Sequence, residues 1–230
     1  MDDKILYDIT KFTVLDYEEH LSAVLWFGGC NMRCPYCYNS DIVFAKEGNF
    51  DKDELFRFLK SRQRRLEAVV LSGGECTLYK KLPQLAREIK ELGYKIKIDT
   101  NGTNPKMLKE MLKDNLLDFI SLDYKAPSYK YQEITKHKNF TLFKESLIHF
   151  IENEANFEVR TTVHTDLLDE NDINHIIKDL YDKGYKNSYY IQNYMHQEKI
   201  LGTLKEQTTE LDITKIKTDL IDVKFRNFKI

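Results

Sequence analysis

Glu67-Ala68-Val69-Val70-Leu71 is a short apolar run followed by Ser72-Gly73-Gly74-Glu75-Cys76; an amphipathic stretch, Lys81–Leu92, leads through Gly93 to Tyr94-Lys95-Ile96-Lys97-Ile98 and then Asp99-Thr100-Asn101-Gly102. The two apolar runs have strand length and are rich in β-branched residues. Between them Leu82, Leu85, Ala86, Ile89 and Leu92 recur at helical spacing. Gly93 stands where a left-handed C-cap is expected. The stretch therefore predicts a strand, a crossover helix and a second strand, the unit from which parallel sheets are built.

The same alternation extends in both directions. Further strand-length runs lie at Leu21–Phe27, Asp118–Leu122, Phe157–Val163 and Ser188–Ile191, and helical patterns at Lys52–Ser61, Pro105–Lys113, Leu142–Asn153 and Asn171–Lys183, the last followed by Gly184. Strands alternating with helices predict an α/β fold with right-handed crossovers, and six such units in succession suggest an open or partial (β/α)6 barrel. A doubly wound sheet is the other architecture. Tyr7 to Tyr17 predicts a short N-terminal ribbon, Ile213–Ile221 a helix, and Val223–Ile230 a closing strand; Met195–Leu211 is left as a spare cap. No linker, repeat or low-complexity stretch interrupts the chain. One domain is expected over residues 1–230, with its core at about 18–195 and a C-terminal extension at 196–230.

Composition narrows the function classes. The 230 residues are 42% hydrophobic, enough for a sizeable core. The 37 acidic and 35 basic residues nearly cancel, so neither nucleic acid nor a membrane surface is expected as a partner. Arg62-Gln63-Arg64-Arg65 sits where a helix should end, a position that favours cations. No apolar run approaches ~20 residues and no targeting segment opens the chain, so a soluble cytoplasmic protein with reduced thiols is expected.

The distinctive polar residues collect at the C-terminal ends of the expected strands, where barrels of this class carry their chemistry. After the first comes Gly28-Gly29-Cys30-Asn31-Met32-Arg33-Cys34-Pro35-Tyr36-Cys37, which holds three of the four cysteines at a CxxxCxxC spacing. Three thiolates on one tight loop suit three corners of an iron-sulfur cube and leave the fourth iron open. Tetrahedral zinc is the alternative, but it needs a fourth ligand, Cys76 or a histidine, and no second CxxC or HxxxH pair follows. A disulfide framework fits poorly, since four cysteines are sparse for a secreted scaffold.

Gly73-Gly74 permits close backbone approach, and Glu75 offers a carboxylate to a cationic amino group. Asp99, Thr100 and Asn101 supply oxygens and donors suited to a ribose, a carboxylate or a hard monovalent cation. Asp123 and Lys125 point the same way at a strand end, as a ligand pair or as a salt bridge. Arg160 suits bidentate recognition of a carboxylate, and His164 reads as a structural histidine more readily than as a catalyst.

Cys30, Cys34 and Cys37, with Tyr36 before the last cysteine and Gly73-Gly74-Glu75 after the next strand, resemble the radical S-adenosylmethionine (SAM) superfamily, from Phe12 to about Asn193. Within it, Phe12–Tyr17, the cysteine loop, Lys97–Gly102, Asp123-Tyr124-Lys125-Ala126-Pro127 and Arg160-Thr161-Thr162-Val163 resemble the activating proteins of anaerobic ribonucleoside-triphosphate reductase.

The resemblance implies a partial barrel of the radical SAM type with short terminal extensions. It implies that Cys30, Cys34 and Cys37 ligate a [4Fe-4S] cluster whose open iron chelates SAM. By the same resemblance Tyr36 lies near the adenine, and Gly73, Gly74 and Glu75 bind the methionine amino end. Asp99, Thr100 and Asn101 face the ribose and carboxylate, while Asp99, Thr100 and Asp123 surround a monovalent cation. Lys125 and Arg160 then lie beside the bound cofactor.

The implied activity is reductive cleavage of SAM to a 5′-deoxyadenosyl radical that installs a glycyl radical on a partner, most plainly anaerobic ribonucleotide reductase, with electrons from a flavodoxin or ferredoxin. The short chain suits an extended peptide better than an enclosed small molecule. Two other readings are a small-molecule enzyme like 7-carboxy-7-deazaguanine synthase and a non-catalytic iron-sulfur or zinc scaffold. Cys76 departs from the family, which commonly has proline after Gly-Gly-Glu. It is expected to be a neutral or tuning substitution, with a fourth cluster ligand as the alternative.

Overall fold

The computed structural model describes residues 4–228, which pack as two compact units. The first comprises the chain up to Asn31 with Asp41–Thr100 and Asn104–Ile120; the second comprises Met32–Ser40, Asn101–Thr103 and Ser121 onward.

In the first unit, strand β1 (Leu6–Thr13) pairs antiparallel with β2 (Ser22–Phe27), setting Ile9 opposite Leu25. The expected N-terminal ribbon is this pair. A short helix α1 (Ser40–Phe44), which the sequence pattern does not signal, precedes α2 (Lys52–Arg62). Asp51 and Glu54 start α2 with a reciprocal capping box, and Leu55 and Leu59 are its buried face. Strand β3 (Ala68–Gly73) lies parallel to β2, with Ser22 opposite Ala68 and Phe27 opposite Gly73.

Helix α3 (Leu82–Glu91) buries Leu82, Leu85, Ala86 and Ile89 and returns the chain to β4 (Lys95–Thr100), parallel to β3. Helix α4 (Pro105–Lys113) follows; Asn104 caps it and Pro105 supplies the preset φ of its first turn. Val69, Val70, Leu71, Ile96 and Ile98 are all shut off from solvent, as expected of parallel strands covered on both faces. Each such side chain contributes about 1.5–3 kcal/mol of burial.

Strand β5 (Phe119–Asp123) begins in the first unit and ends in the second. In the first unit the backbone N–H of Asp118 donates to Ile96 at 2.8 Å, and in the second Tyr124 N–H donates to Arg160 at 2.9 Å. The second unit continues through α5 (Ser128–Thr135), also unsignalled, α6 (Phe140–Glu152), β6 (Phe157–Val163) and α7 (Glu170–Asp182). Strands β7 (Tyr189–Asn193) and β8 (Val223–Arg226) complete it, and β6, β7 and β8 are parallel neighbours in that order. Asp169 and Asp172 form a capping box at the start of α7, as Asp51 and Glu54 do for α2.

The six expected inner strands are all present, so the architecture is α/β with parallel strands. The expected helix at Ile213–Ile221 is not. Only a single 3-10 turn, Ile213–Lys215, forms there, capped by Asp212. The Asn174 side chain takes the place of further helical bonds: its Nδ2 donates to the Lys215 carbonyl at 2.9 Å and its Oδ1 accepts from Lys217 N–H at 2.8 Å. The expected closing strand ends at Arg226 rather than Ile230, because Asn227 turns into the left-handed region with φ 63°. Its last two residues, 229 and 230, lie outside the described part. Among the described residues no helix is long and apolar enough to cross a membrane.

Candidate functional site

In the first unit the end of β2 and the turn after β3 meet backbone to backbone. Gly74 N–H donates to the Phe27 carbonyl and Glu75 N–H to the Gly29 carbonyl, both at 2.9 Å. A Cβ on Gly74 would stand 2.0 Å from the Gly29 oxygen and 3.2 Å from the Cys30 Cβ; one on Gly73, whose φ is +120°, would stand 2.4 Å from Phe27 backbone. The glycine pair thus lets the turn close on the strand that delivers Cys30, a role in packing that spacing alone does not reveal. On the other side of Cys30, Gly29 N–H donates to Ile42 at 2.8 Å and Cys30 N–H to Val43 at 3.3 Å, so α1 buttresses the first cysteine.

Glu75 is buried, at 2% exposure, and caps the 3-10 turn Cys76–Leu78. Its Oε1 accepts from Thr77 N–H at 3.1 Å, from the Thr77 hydroxyl at 2.5 Å and from the Thr100 hydroxyl at 2.8 Å. These bonds fix the carboxylate between β3 and β4. Asp99 accepts from the Ser72 hydroxyl at 3.0 Å and pairs with buried Lys97 at 3.2 Å, and Lys97 also donates to the Asp16 carbonyl. Thr77, Ser72 and Lys97, which hold these carboxylates, are missing from the expected set. Their signal is position: Thr77 lies two residues beyond Glu75, and Lys97 alternates with Asp99 along β4.

Cys76 is fully buried, its thiol directed at the carbonyls of Leu71 at 3.7 Å and Asp99 at 3.6 Å. Burial pushes this thiol well up, and the neighbouring Glu75 and Asp99 carboxylates push the same way. This sealed position against two backbone carbonyls supports a packing role for Cys76.

In the second unit Cys34 and Cys37 are joined by a tight turn in which Cys37 N–H donates to the Cys34 carbonyl at 3.0 Å. Arg33 N–H, bonded to Thr135 O at 2.8 Å, anchors the loop to the end of α5. Cys34 is buried and Cys37 half-buried; neither is in a disulfide, nor are Cys30 and Cys76. Burial pushes the Cys34 thiol up, while the Lys125 ammonium acts against it. Tyr36 is buried as well, and burial followed by the nearby Cys34 raises its hydroxyl.

Asp123 joins two cations. Its Oδ1 accepts from Arg160 Nε at 2.7 Å and its Oδ2 from Lys125 Nζ at 2.9 Å. Burial alone would raise the carboxyl, but Arg160 and Lys125 outweigh it and hold the value to about 2. Lys125 is shifted in the opposite sense: burial lowers it, and Asp123 and Cys34 together raise it above its ordinary range. The charge chain continues to Glu158, which lies 4.0 Å from Arg160 and 3.4 Å from Arg226 and accepts from Ser121 at 2.7 Å. Glu158 and Arg226 are unmarked by any sequence motif. Asn101 makes a local turn, its Oδ1 accepting from Thr103 N–H at 3.1 Å and from the Thr103 hydroxyl at 2.6 Å.

His164 is fully buried, with Nε2 3.0 Å from the Lys205 carbonyl and Nδ1 3.2 Å from the Asp166 N–H, contacts that fit the structural reading.

Each unit thus presents cysteine, buried carboxylate and hydroxyl groups at strand ends. Free thiols on a tight turn and an adjacent ammonium fit a donor set for an anionic iron-sulfur cluster. Metal binding at such a set releases thiol protons. Among the described residues no group of three or more His, Cys, Asp or Glu is placed to hold a metal ion.

Comparison with known proteins identifies the family. A candidate glycyl-radical enzyme activating enzyme of Methanocaldococcus jannaschii is 36% identical over 183 residues, 76% of this chain and 74% of that one. A second such protein of the same organism is 27% identical over 206 residues, covering 85% and 78%. Among solved structures, Streptococcus suis SuiB bound to S-adenosylmethionine superposes with a TM-score of 0.66 at 15% identity over 89% of this chain. The chain spans about half of SuiB's length, 52%, and the likeness shows the fold, the partial barrel of radical SAM enzymes. Residues 24–189, well over half of the chain, match the Radical SAM superfamily model, and the chain belongs to that superfamily.

Proposed function

We propose that this radical SAM enzyme is a glycyl-radical enzyme activase, acting on a partner such as anaerobic ribonucleoside-triphosphate reductase. The observation that carries the reading is the 36% identity to a candidate glycyl-radical enzyme activating enzyme over about three quarters of both chains. Membership of the family implies a [4Fe-4S] cluster and SAM. In this reading Cys30, Cys34 and Cys37 hold the cluster, and the bound pair supplies a 5′-deoxyadenosyl radical once an electron arrives from a flavodoxin or ferredoxin.

The chain's own groups have the chemistry for the remaining tasks. Glu75, fixed by Thr77 and Thr100, offers its carboxylate to the methionine ammonium, with Gly73 and Gly74 giving close backbone approach. Asp99, Thr100 and Asn101 serve the ribose and carboxylate side, and Tyr36 the adenine. Asp123 keeps Lys125 and Arg160 charged and oriented beside the bound cofactor. Asp99, Thr100 and Asp123 are the oxygen donors for a monovalent cation.

The test is anaerobic reconstitution with iron and sulfide, reduction, and addition of SAM with a purified anaerobic ribonucleotide reductase. The expected results are 5′-deoxyadenosine and a glycyl-type doublet in electron paramagnetic resonance of the partner. Turnover of a pterin with no partner protein present would overturn the activase reading in favour of a small-molecule enzyme. An intact cluster with no 5′-deoxyadenosine would favour a scaffold.

A further inference from the structure

The segment between β7 and the 3-10 turn at Ile213, expected only as a spare cap, is tied to the cysteine loop within the second unit. Leu201 N–H donates to the Cys37 carbonyl and Gly202 N–H to the Pro35 carbonyl, both at 2.9 Å. The contact has room for nothing larger than glycine: a Cβ on Gly202 would stand 2.5 Å from the Pro35 Cβ, 2.7 Å from its Cα and 2.9 Å from its carbonyl oxygen.

Both flanks of the segment are fastened. Before the contact, Met195 N–H donates to the Tyr38 hydroxyl at 3.0 Å, and the Tyr38 and Tyr194 rings lie 5.7 Å apart. After it, the Lys205 carbonyl lies 3.0 Å from Nε2 of buried His164. Gln207 accepts from Thr165 N–H at 3.0 Å and donates to Asn193 at 2.8 Å, and the Thr209 carbonyl accepts from the Thr165 hydroxyl at 3.0 Å.

Residues 195–211 therefore run from the end of β7, past the Pro35–Cys37 turn, to the end of β6. The turn is held from three directions: by its own Cys37-to-Cys34 bond, by Arg33 on Thr135, and by this strap.

We propose that the strap is the positioning element for the second and third cysteines, with Gly202 as its seat, and that it sets how firmly the chain retains a metal cluster on them. The physical reason is that ligand loss from a thiolate site requires the loop to rearrange. Two backbone hydrogen bonds to the loop's carbonyls oppose that motion. The proposal rests on the assignment of Cys34 and Cys37 as cluster ligands.

The experiment compares wild-type protein with Gly202→Ala and Gln207→Ala, each reconstituted anaerobically and then challenged with an iron chelator while the 400-nm absorbance is followed. Gly202→Ala should release iron about tenfold faster, as expected for loss of two backbone bonds to the loop. Gln207→Ala, which loosens the far anchor and leaves the loop contact untouched, should release it severalfold faster. Should Gly202→Ala fail to fold, the Gln207→Ala rate decides. Release at the wild-type rate from folded variants overturns the strap while leaving the cluster ligands in place. A wild-type protein that takes up no iron overturns the ligand assignment itself, and the strap's role with it.

Discussion

Glu75 and Asp123 are each held by a donor two residues along the chain and by one on another strand, and each holding contact has a measurable consequence. Thr77 gives Glu75 both a backbone and a hydroxyl donor. Thr77→Val removes the hydroxyl and leaves a buried carboxylate short of one bond, so stability should fall by about 1–3 kcal/mol in urea unfolding. SAM affinity measured calorimetrically on reconstituted protein should weaken about tenfold, with Thr77→Ser restoring most of both. Asp123 has a depressed folded value of about 2, against an ordinary carboxylate value near 4. Its stabilising contribution, about 2 kcal/mol, is therefore fully present above about pH 4 and lost as the pH falls toward 2. Asp123→Asn should lower stability at pH 7 by about that amount, and the gap from wild type should narrow in melts taken below pH 3. Cys76→Ala should keep the wild-type iron content, because the thiol is buried against two carbonyls. Iron loss in that variant would make Cys76 a ligand.

Elements set the limits within which those residues work. The turn after β3 can close on β2 only through glycine, so Gly74→Ala, with its Cβ 2.0 Å from a backbone oxygen, has no flexible neighbour to yield. It should cost more than about 3 kcal/mol in thermal or urea unfolding and depress iron loading, since the displaced strand carries Cys30. Gly93 makes the contrast: nothing lies within 4 Å of its added Cβ, and only its φ of +90° opposes substitution. Gly93→Ala should therefore cost only about 1 kcal/mol and leave iron loading unchanged.

Most elements were legible because their signals are local. Leu82, Leu85, Ala86 and Ile89 announce α3, and all four are buried on it. The helix expected at Ile213–Ile221 fails for a non-local reason, since Asn174 on α7 satisfies backbone groups that a helix would have used. Helices α1 and α5 are only five and eight residues long, too short for an amphipathic period to stand out.

At the scale of the whole molecule, each unit has its own buried parallel strands, and protection should follow them. Hydrogen exchange should be slowest in Val69–Leu71 and Ile96–Ile98 of the first unit and Val159–Thr161 of the second, where every side chain but that of Arg160 is buried. Residues 196–210, mostly exposed and without regular structure, should exchange fastest among the internal segments, apart from the amides of Leu201 and Gly202. Fast exchange at those two amides would contradict the strap.

By itself the sequence determined the succession of strands and helices and the spacing of the three-cysteine loop. These depend on periodicity and on residue type at fixed spacing, which the chain carries locally. Only the tertiary structure decided that Gly73 and Gly74 pack against the strand of Cys30, that Asp123 holds two cations while Glu158 links onward to Arg226, that Cys76 is sealed, and that residues 195–211 seat on Pro35 and Cys37. Apart from the pairing of Asp123 with Lys125, which the alternation along the strand end already offered, these are contacts between residues far apart in the chain, fixed by distances of a few ångströms that no local pattern encodes.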